Sequence, residues 1–270
     1  MLKIKFIFFY IGLILLSSIT IINCSDDNIV TPLPVDSSDF RYPFKDGSTW
    51  NYTITISASD IRPDSILHYF TDYPFVTTGT ATILYDTVIN SIVTKCFLDE
   101  FVSNGIIRYN RYYYVNNDTA MILYARRQQG PASGILPLRK TNNVLNGTDD
   151  NNVNNLYNNE FEILNDSLYS TLKYPIVTGT EWSYTPTPGF TISKKYLGFE
   201  NIAVPAGTIS CMKENVVYSY EPTWLYDYYY SRFGLIKAYS FFNDITFIPI
   251  EGTYDLTGET VVTSFNIPSE

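Results

Sequence analysis

From residue 50 to 57 the chain alternates, with Trp50, Tyr52, Ile54 and Ile56 on one side and Asn51, Thr53, Thr55 and Ser57 on the other. A period of two marks a half-buried β-strand, because successive side chains leave a pleated backbone on opposite faces. Asn104-Gly105 separates the apolar-rich runs 96–102 and 106–115. Both residues accept the positive φ of a tight turn, so the spacing predicts a hairpin. Pro205-Ala206-Gly207 fits a type I turn. Beyond it, strands are expected over 208–219, 225–233, 235–242, 245–250, 253–257 and 260–266. Only Glu160–Leu172, with apolar residues at 161, 163, 164, 168, 169 and 172, matches a helical period. Many strands joined by short turns predict a mainly β fold of antiparallel sheets with little helix, arranged as a meander or half-barrel or as a sandwich.

The pattern also repeats. Residues 42–53 read YPFKDGSTWNYT and residues 174–185 read YPIVTGTEWSYT. Six positions recur in register: Tyr42/Tyr174, Pro43/Pro175, Gly47/Gly179, Trp50/Trp182, Tyr52/Tyr184 and Thr53/Thr185. Downstream, Cys96 precedes the triplet Tyr112-Tyr113-Tyr114, and Cys211 precedes Tyr228-Tyr229-Tyr230. Two related β units follow, at 40–140 and 174–270, with 141–173 as a linker carrying the short helix. Nine of the 20 residues from Thr141 to Glu160 are Asn, too polar a composition to order itself by burial.

Composition narrows the function classes. The chain has 270 residues, 45% of them apolar and 16% aromatic, enough for a sizeable core. A net charge of −9 repels phosphate backbones and excludes nucleic acid as a partner. His68, the single histidine, leaves no histidine metal site or Ser-His-Asp triad to assemble. The N-terminus places Lys3 and Lys5 before the apolar run Phe6–Ile22, the layout of a secretory signal peptide over 1–23. Ile21-Ile22-Asn23-Cys24 resembles a bacterial lipobox, with Asn23 where Gly, Ala or Ser is usual. The resemblance implies an acylated Cys24, and acyl chains on that residue would hold the protein stably to a membrane. Ser25-Asp26-Asp27 resembles the acidic export signal of Bacteroidota lipoproteins, which implies the outer membrane and exposure at the cell surface. Residues 25–39, with four acids and two prolines, read as an extended tether.

Candidate chemistry is sparse. Ser170-Thr171-Leu172-Lys173 and Ser210-Cys211-Met212-Lys213 match S-x-x-K without its partner motifs. Asp99 and Glu100 are neighbours on a strand and face apart. Asp149–Asn154 spaces oxygen ligands at alternate positions but lacks the glycine and terminal Glu of a calcium loop. The reading is therefore of no enzyme, no metal and no cofactor. Tyr226, Tyr228 and Tyr230 share one strand face, with Trp224 just ahead. Such a row is either a ligand-facing platform for sugars or half of a packed sheet face. Cys96 and Cys211 form an even pair that either joins in a disulfide near a pseudo-twofold axis or stays as two buried thiols.

The motif Y-P-x-x-x-G-x-x-W-x-Y-T, together with Val204-Pro205-Ala206-Gly207-Thr208-Ile209-Ser210-Cys211 and Gly234-Leu235-Ile236-Lys237, resembles a broad group of lipoproteins of Bacteroidota and related bacteria. That group implies an address and an architecture, with no activity attached. The expectation is a lipid-anchored, non-catalytic envelope protein acting in binding or surface interaction. A glycan-binding lipoprotein using the tyrosine face, or a carrier of a lipid or other hydrophobic ligand, stands as the alternative.

Overall fold

In the computed structural model the described residues are 40–103, 105–127, 161–164, 169–246 and 252–269. Cys24, the tether and the Asn-rich segment 141–160 lie outside them, as does the Asp149–Asn154 run. The strands are β1 (Thr49–Arg62), β2 (Phe75–Ile89), β3 (Ile92–Ser103), β4 (Ile106–Asn116), β5 (Ala120–Arg127), β6 (Phe161–Ile163) and β7 (Ser170–Lys173). They continue with β8 (Glu181–Thr187), β9 (Phe190–Val204), β10 (Gly207–Tyr218), β11 (Glu221–Ser231), β12 (Gly234–Thr246) and β13 (Thr253–Asn266). A 3₁₀ helix, Asp64–Phe70, follows β1. All strands belong to one antiparallel sheet in the order β6-β5-β4-β3-β2-β1-β13-β12-β11-β10-β9-β8, with β7 also on β5. Two meanders, β1–β5 and β8–β13, are thus fused where the first strand of one pairs with the last strand of the other.

The two matched sequence stretches make the same turn. Ser48 donates its N–H to the Lys45 carbonyl at 3.1 Å, and Thr180 does the same to Val177 at 3.1 Å. Gly47 (φ 80°) and Gly179 (φ 88°) sit in the left-handed region, which explains glycine at both places. Each turn then docks on the next strand, Gly47 N–H to Ile83 O at 2.8 Å and Gly179 N–H to Tyr196 O at 2.8 Å. Trp50 opposes Ala81, and Trp182 opposes Lys194, in the same ladder position.

The inner face of the sheet is the core. Trp50, Tyr52, Ile83, Phe97, Tyr112, Tyr114, Met121 and Leu123 from the first meander pack with Tyr196, Met212, Tyr230 and Leu235 from the second. The backbone ladder stays open between β7 and β8, and side chains bridge the gap. Trp182 Nε1 donates to Ser170 O at 3.1 Å and Lys194 Nζ to Thr171 O at 2.8 Å. The Tyr196 hydroxyl accepts from Lys173 N–H at 2.9 Å and donates to Lys173 O at 3.0 Å. The exposed edge of β7 is satisfied in this way without a further strand, which also blunts it against edge-to-edge pairing.

Several expectations change. The helix over 160–172 is replaced by β6 and β7 where the chain is described. Pairing of Ile163 with Ala125 and of Leu172 with Met121 offers backbone partners that a weak helical period cannot match. The runs 235–242 and 245–250 read as separate strands, but β12 passes through Thr246 with an irregularity at Asp244 (φ 51°). Likewise 253–257 and 260–266 are one strand, since Gly258 stays in register opposite Ser240. The hairpin around Asn104-Gly105 and the turn at Pro205-Ala206 form where expected.

Tyr52 shows how local packing sets the sequence. Its ring lies across Gly79, whose Cβ would come within 2.3 Å of it, and its hydroxyl donates to the buried Asp99. Gly79→Ala is expected to cost about 2–4 kcal/mol, from overpacking and the displaced hydrogen bond. In a Tyr52→Ala background the same change should cost less but still about 1–2 kcal/mol, because the ring is gone while the Glu100 carbonyl would remain 2.6 Å from the new Cβ. Urea denaturation of the four proteins measures both.

Candidate functional site

Tyr226, Tyr228 and Tyr230 share a face of β11, as their spacing requires, but that face looks inward. Tyr230 is fully buried in the main core and Tyr226 is buried in a second cluster with Ile192, Val216, Tyr218, Phe242 and Ile245. Tyr228 is half-buried against both. The row is therefore core, not an open platform, because the sheet curls and turns this face away from solvent. Burial pushes all three hydroxyls above the ordinary tyrosine range.

Trp224 is different. It is half-buried at the end of the second meander, where Phe190 opens β9 and Tyr220 sits in the β10–β11 turn. Ring centroids run 5.0 Å from Phe190 to Tyr220, 6.4 Å from Tyr220 to Trp224 and 5.0 Å from Trp224 to Phe242. Tyr218 and Tyr226 close the base, 4.7 Å apart. Tyr220 is 38% exposed, so a rim of half-open rings stands on a buried aromatic floor. Sequence reading found Trp224 and Tyr226 and missed Phe190 and Tyr220. The available signal was position: Phe190 follows Pro188-Gly189 and Tyr220 stands between two strands, so both fall at strand ends.

Two buried carboxylates mark the inner face. Asp99 on β3 takes the Tyr52 hydroxyl. Glu214 on β10, also fully buried, accepts from Lys194 Nζ at 2.9 Å, and Lys194 lies 5.7 Å from the Trp182 ring centroid. Burial raises the Glu214 pKa above the ordinary glutamate value, and the Lys194 charge opposes the rise. Glu214 opposes Tyr196 and Tyr228, as Phe97 opposes Ile83 and Tyr112 in the first meander. A position filled by a phenyl ring in one unit thus carries half of an ion pair in the other. Glu100, next to Asp99, is half-buried on the outer face, so the two acids do not share a site.

Cys96 and Cys211 are free and buried, so of the two readings left open the pair of buried thiols holds and the disulfide does not. Their strands are six ladder steps apart, about 29 Å along the sheet, beyond any disulfide. They are not matched positions either. Cys96 opposes Tyr113, while the counterpart Tyr229 opposes Lys213, two residues past Cys211. Burial raises both thiol pKa values, that of Cys211 to about 12. Native protein is accordingly expected to leave both thiols unmodified by an aromatic disulfide reagent at pH 8, with labelling that appears only through the denaturation transition. Labelling of either one in native buffer would contradict the packing.

Among the described residues no group of three or more His, Cys, Asp or Glu is placed to hold a metal ion. No family model and no curated protein matches this chain. Two crystal structures are similar to it in part. One is described as a "putative exported protein with YmcC-like fold" from Bacteroides fragilis, 11% identical, covering 84% of this chain and 99% of its own, with a TM-score of 0.30. The other, a "putative lipoprotein" from Parabacteroides distasonis, is 13% identical and covers 83% of this chain and 97% of its own, with a TM-score of 0.31. Overlap at that level carries no activity, ligand or partner to this chain.

Proposed function

We propose that this chain is a non-catalytic lipoprotein of the bacterial outer membrane, held by acyl chains on Cys24 and facing outward, which binds saccharide through the rim formed by Phe190, Tyr220 and Trp224. The observation behind the binding role is that rim, in which Phe190, Tyr220 and Trp224 stay half-open above the buried Tyr218 and Tyr226. Flat rings with few rotatable bonds present apolar area to a sugar at low entropic cost. Side chains from both meanders fill the inner face, which favours a surface site over an enclosed lipid carrier. The two inner-face carboxylates, Asp99 and Glu214, are buried and engaged by Tyr52 and Lys194, and the buried Asp227 of the outer face is paired with Lys213.

A glycan array with the soluble chain tests the binding role. Expected is saccharide binding that weakens at least about tenfold in Trp224→Ala or Tyr220→Ala. Binding equal in parent and variants, or none on the array, would remove the rim from consideration. Palmitate labelling tests the anchor separately, and it should disappear in Cys24→Ala.

A further inference from the structure

Given the acylation of Cys24 proposed above, on which this rests, we propose that the tip of the β2–β3 hairpin, residues 87–94, enters the interfacial layer of the same bilayer. The insertion turns the rim of Phe190, Tyr220 and Trp224 away from the membrane. Val88 and Val93 are direct ladder partners at the tip, and so are Ile89 and Ile92. Val88 is 65% exposed, Val93 62% and Ile92 39%, while Ile89 is half-buried. Asn90 (φ 49°) and Ser91 (φ 67°) close the tight turn between them. Four aliphatic side chains thus surround one turn and leave much of their area in water.

The tip also stands apart from the rest of the sheet. Pairing of β2 with β1 stops at Thr82, and pairing of β3 with β4 stops at Lys95. From Thr87 to Thr94 the hairpin is therefore a ribbon with no third strand bonded to it, an arrangement of little stability by itself in water. It carries no charged side chain. The charges at its base are paired, Lys95 with Asp46 at 2.7 Å and with Asp86 at 2.5 Å. A neutral, aliphatic tip can pass the headgroup boundary without stripping water from an ion.

Topology names the bilayer as the occupant. In a meander alternate turns share an end, so the β2–β3 tip lies with the β4–β5 turn. There the chain enters, Arg41 donating to Asn117 O at 3.2 Å and to Asp118 at 3.3 Å. The segment 25–39 upstream reaches at most about 50 Å when extended, or roughly 20 Å as a flexible coil. A tip so tethered meets the bilayer at high effective concentration, and a few aliphatic side chains then suffice. The β8–β9 and β10–β11 turns, beside Phe190 and Tyr220, lie at the opposite end, because β13 runs antiparallel to β1. So does the other apolar tip, formed by Val102, Ile106 and Ile107.

The test uses the mature chain with a hexahistidine tag in place of Cys24, held on vesicles of phosphatidylethanolamine and phosphatidylglycerol that contain a nickel-chelating lipid. Tethering then does not depend on acylation, which palmitate labelling reads separately. A nitrobenzoxadiazole label goes on Ser91→Cys or, at the opposite end, on Ile106→Cys; Cys96 and Cys211 are buried. Lipids spin-labelled in their acyl chains should quench the Ser91 label at least about twofold and shift its emission to the blue, and leave the Ile106 label unchanged. Adding Val88→Thr and Val93→Thr, which keep the β-branched shape and remove apolar area, should cut the quenching at least about threefold. Three results would overturn the proposal: equal quenching at both positions, quenching at Ile106 alone, or quenching at Ser91 that the threonine pair leaves intact. An unquenched Ser91 label that shifts to the blue as protein concentration rises would overturn it in favour of a contact between two copies of the chain.

Discussion

Glu214→Ala is expected to lower stability by about 3–5 kcal/mol, because it leaves the Lys194 ammonium buried with only the Thr171 carbonyl as a close partner. The loss comes from an unmatched charge far more than from lost attraction. Lys194→Met/Glu214→Leu should accordingly recover most of it, ending within about 1–2 kcal/mol of the parent or above it. The first meander already uses that arrangement, with Ala81 and Phe97 in the corresponding places. Urea denaturation at pH 7 of the parent, Lys194→Met, Glu214→Leu and the double variant, with Glu214→Ala beside them, checks the cycle. A double variant as unstable as Glu214→Ala would show that the pair is needed for more than its own neutrality.

The same carboxylate gives a pH dependence of stated sign. Its pKa is raised in the folded state, so the folded chain binds the proton more tightly than the unfolded chain does. This contribution to stability is fully present below the ordinary glutamate value, 4.5, and is lost as the pH rises through the higher folded value. Glu214→Gln should flatten that part of the stability profile.

Trp50→Ala is the second large effect, at about 3–5 kcal/mol, from transfer and cavity terms together. The indole is fully buried and donates from Nε1 to the Phe233 carbonyl at 2.5 Å. It also packs on Gly234 (φ 102°), where a Cβ would lie 2.9 Å from Nε1. Gly234→Ala should therefore reproduce much of the loss, through both the clash and the left-handed backbone. Trp182, its sequence counterpart, is only half-buried and bonds the β7 edge. Trp182→Ala should cost roughly half as much and raise amide exchange selectively in residues 170–173. Equal losses at both tryptophans would mean that the two units share more than their entry turns.

Much of this architecture is legible in the sequence. Alternation at 50–57, the Asn-Gly and Pro-Ala-Gly turns and the doubled Trp motif all depend on neighbouring residues, which is why period and turn chemistry found them. The helix expected at 160–172 failed for the opposite reason: β6 and β7 exist because β5 offers an edge, and β5 is distant in sequence. Alternation puts the tyrosine row on one face, but it says nothing about which face turns inward.

The amino-acid order alone determined that this chain is a mainly antiparallel β protein, with its strand periods, its twice-occurring Trp motif, its paired glycine turns and the lipobox-like start. Those features follow from the two-residue pleat and from which residues tolerate positive φ, so they need no partner at a distance. Only the tertiary structure decided that β1 pairs β13, that side chains of β8 and β9 seal β7, and that Tyr226 and Tyr230 are core while Trp224 stays at the rim. It also decided that Cys96 and Cys211 stand out of register and that the β2–β3 tip lies at the end where the chain enters the sheet. Each of these depends on curvature and ladder register between strands far apart in the chain, and pairing over such distances is set by the packing of the whole sheet.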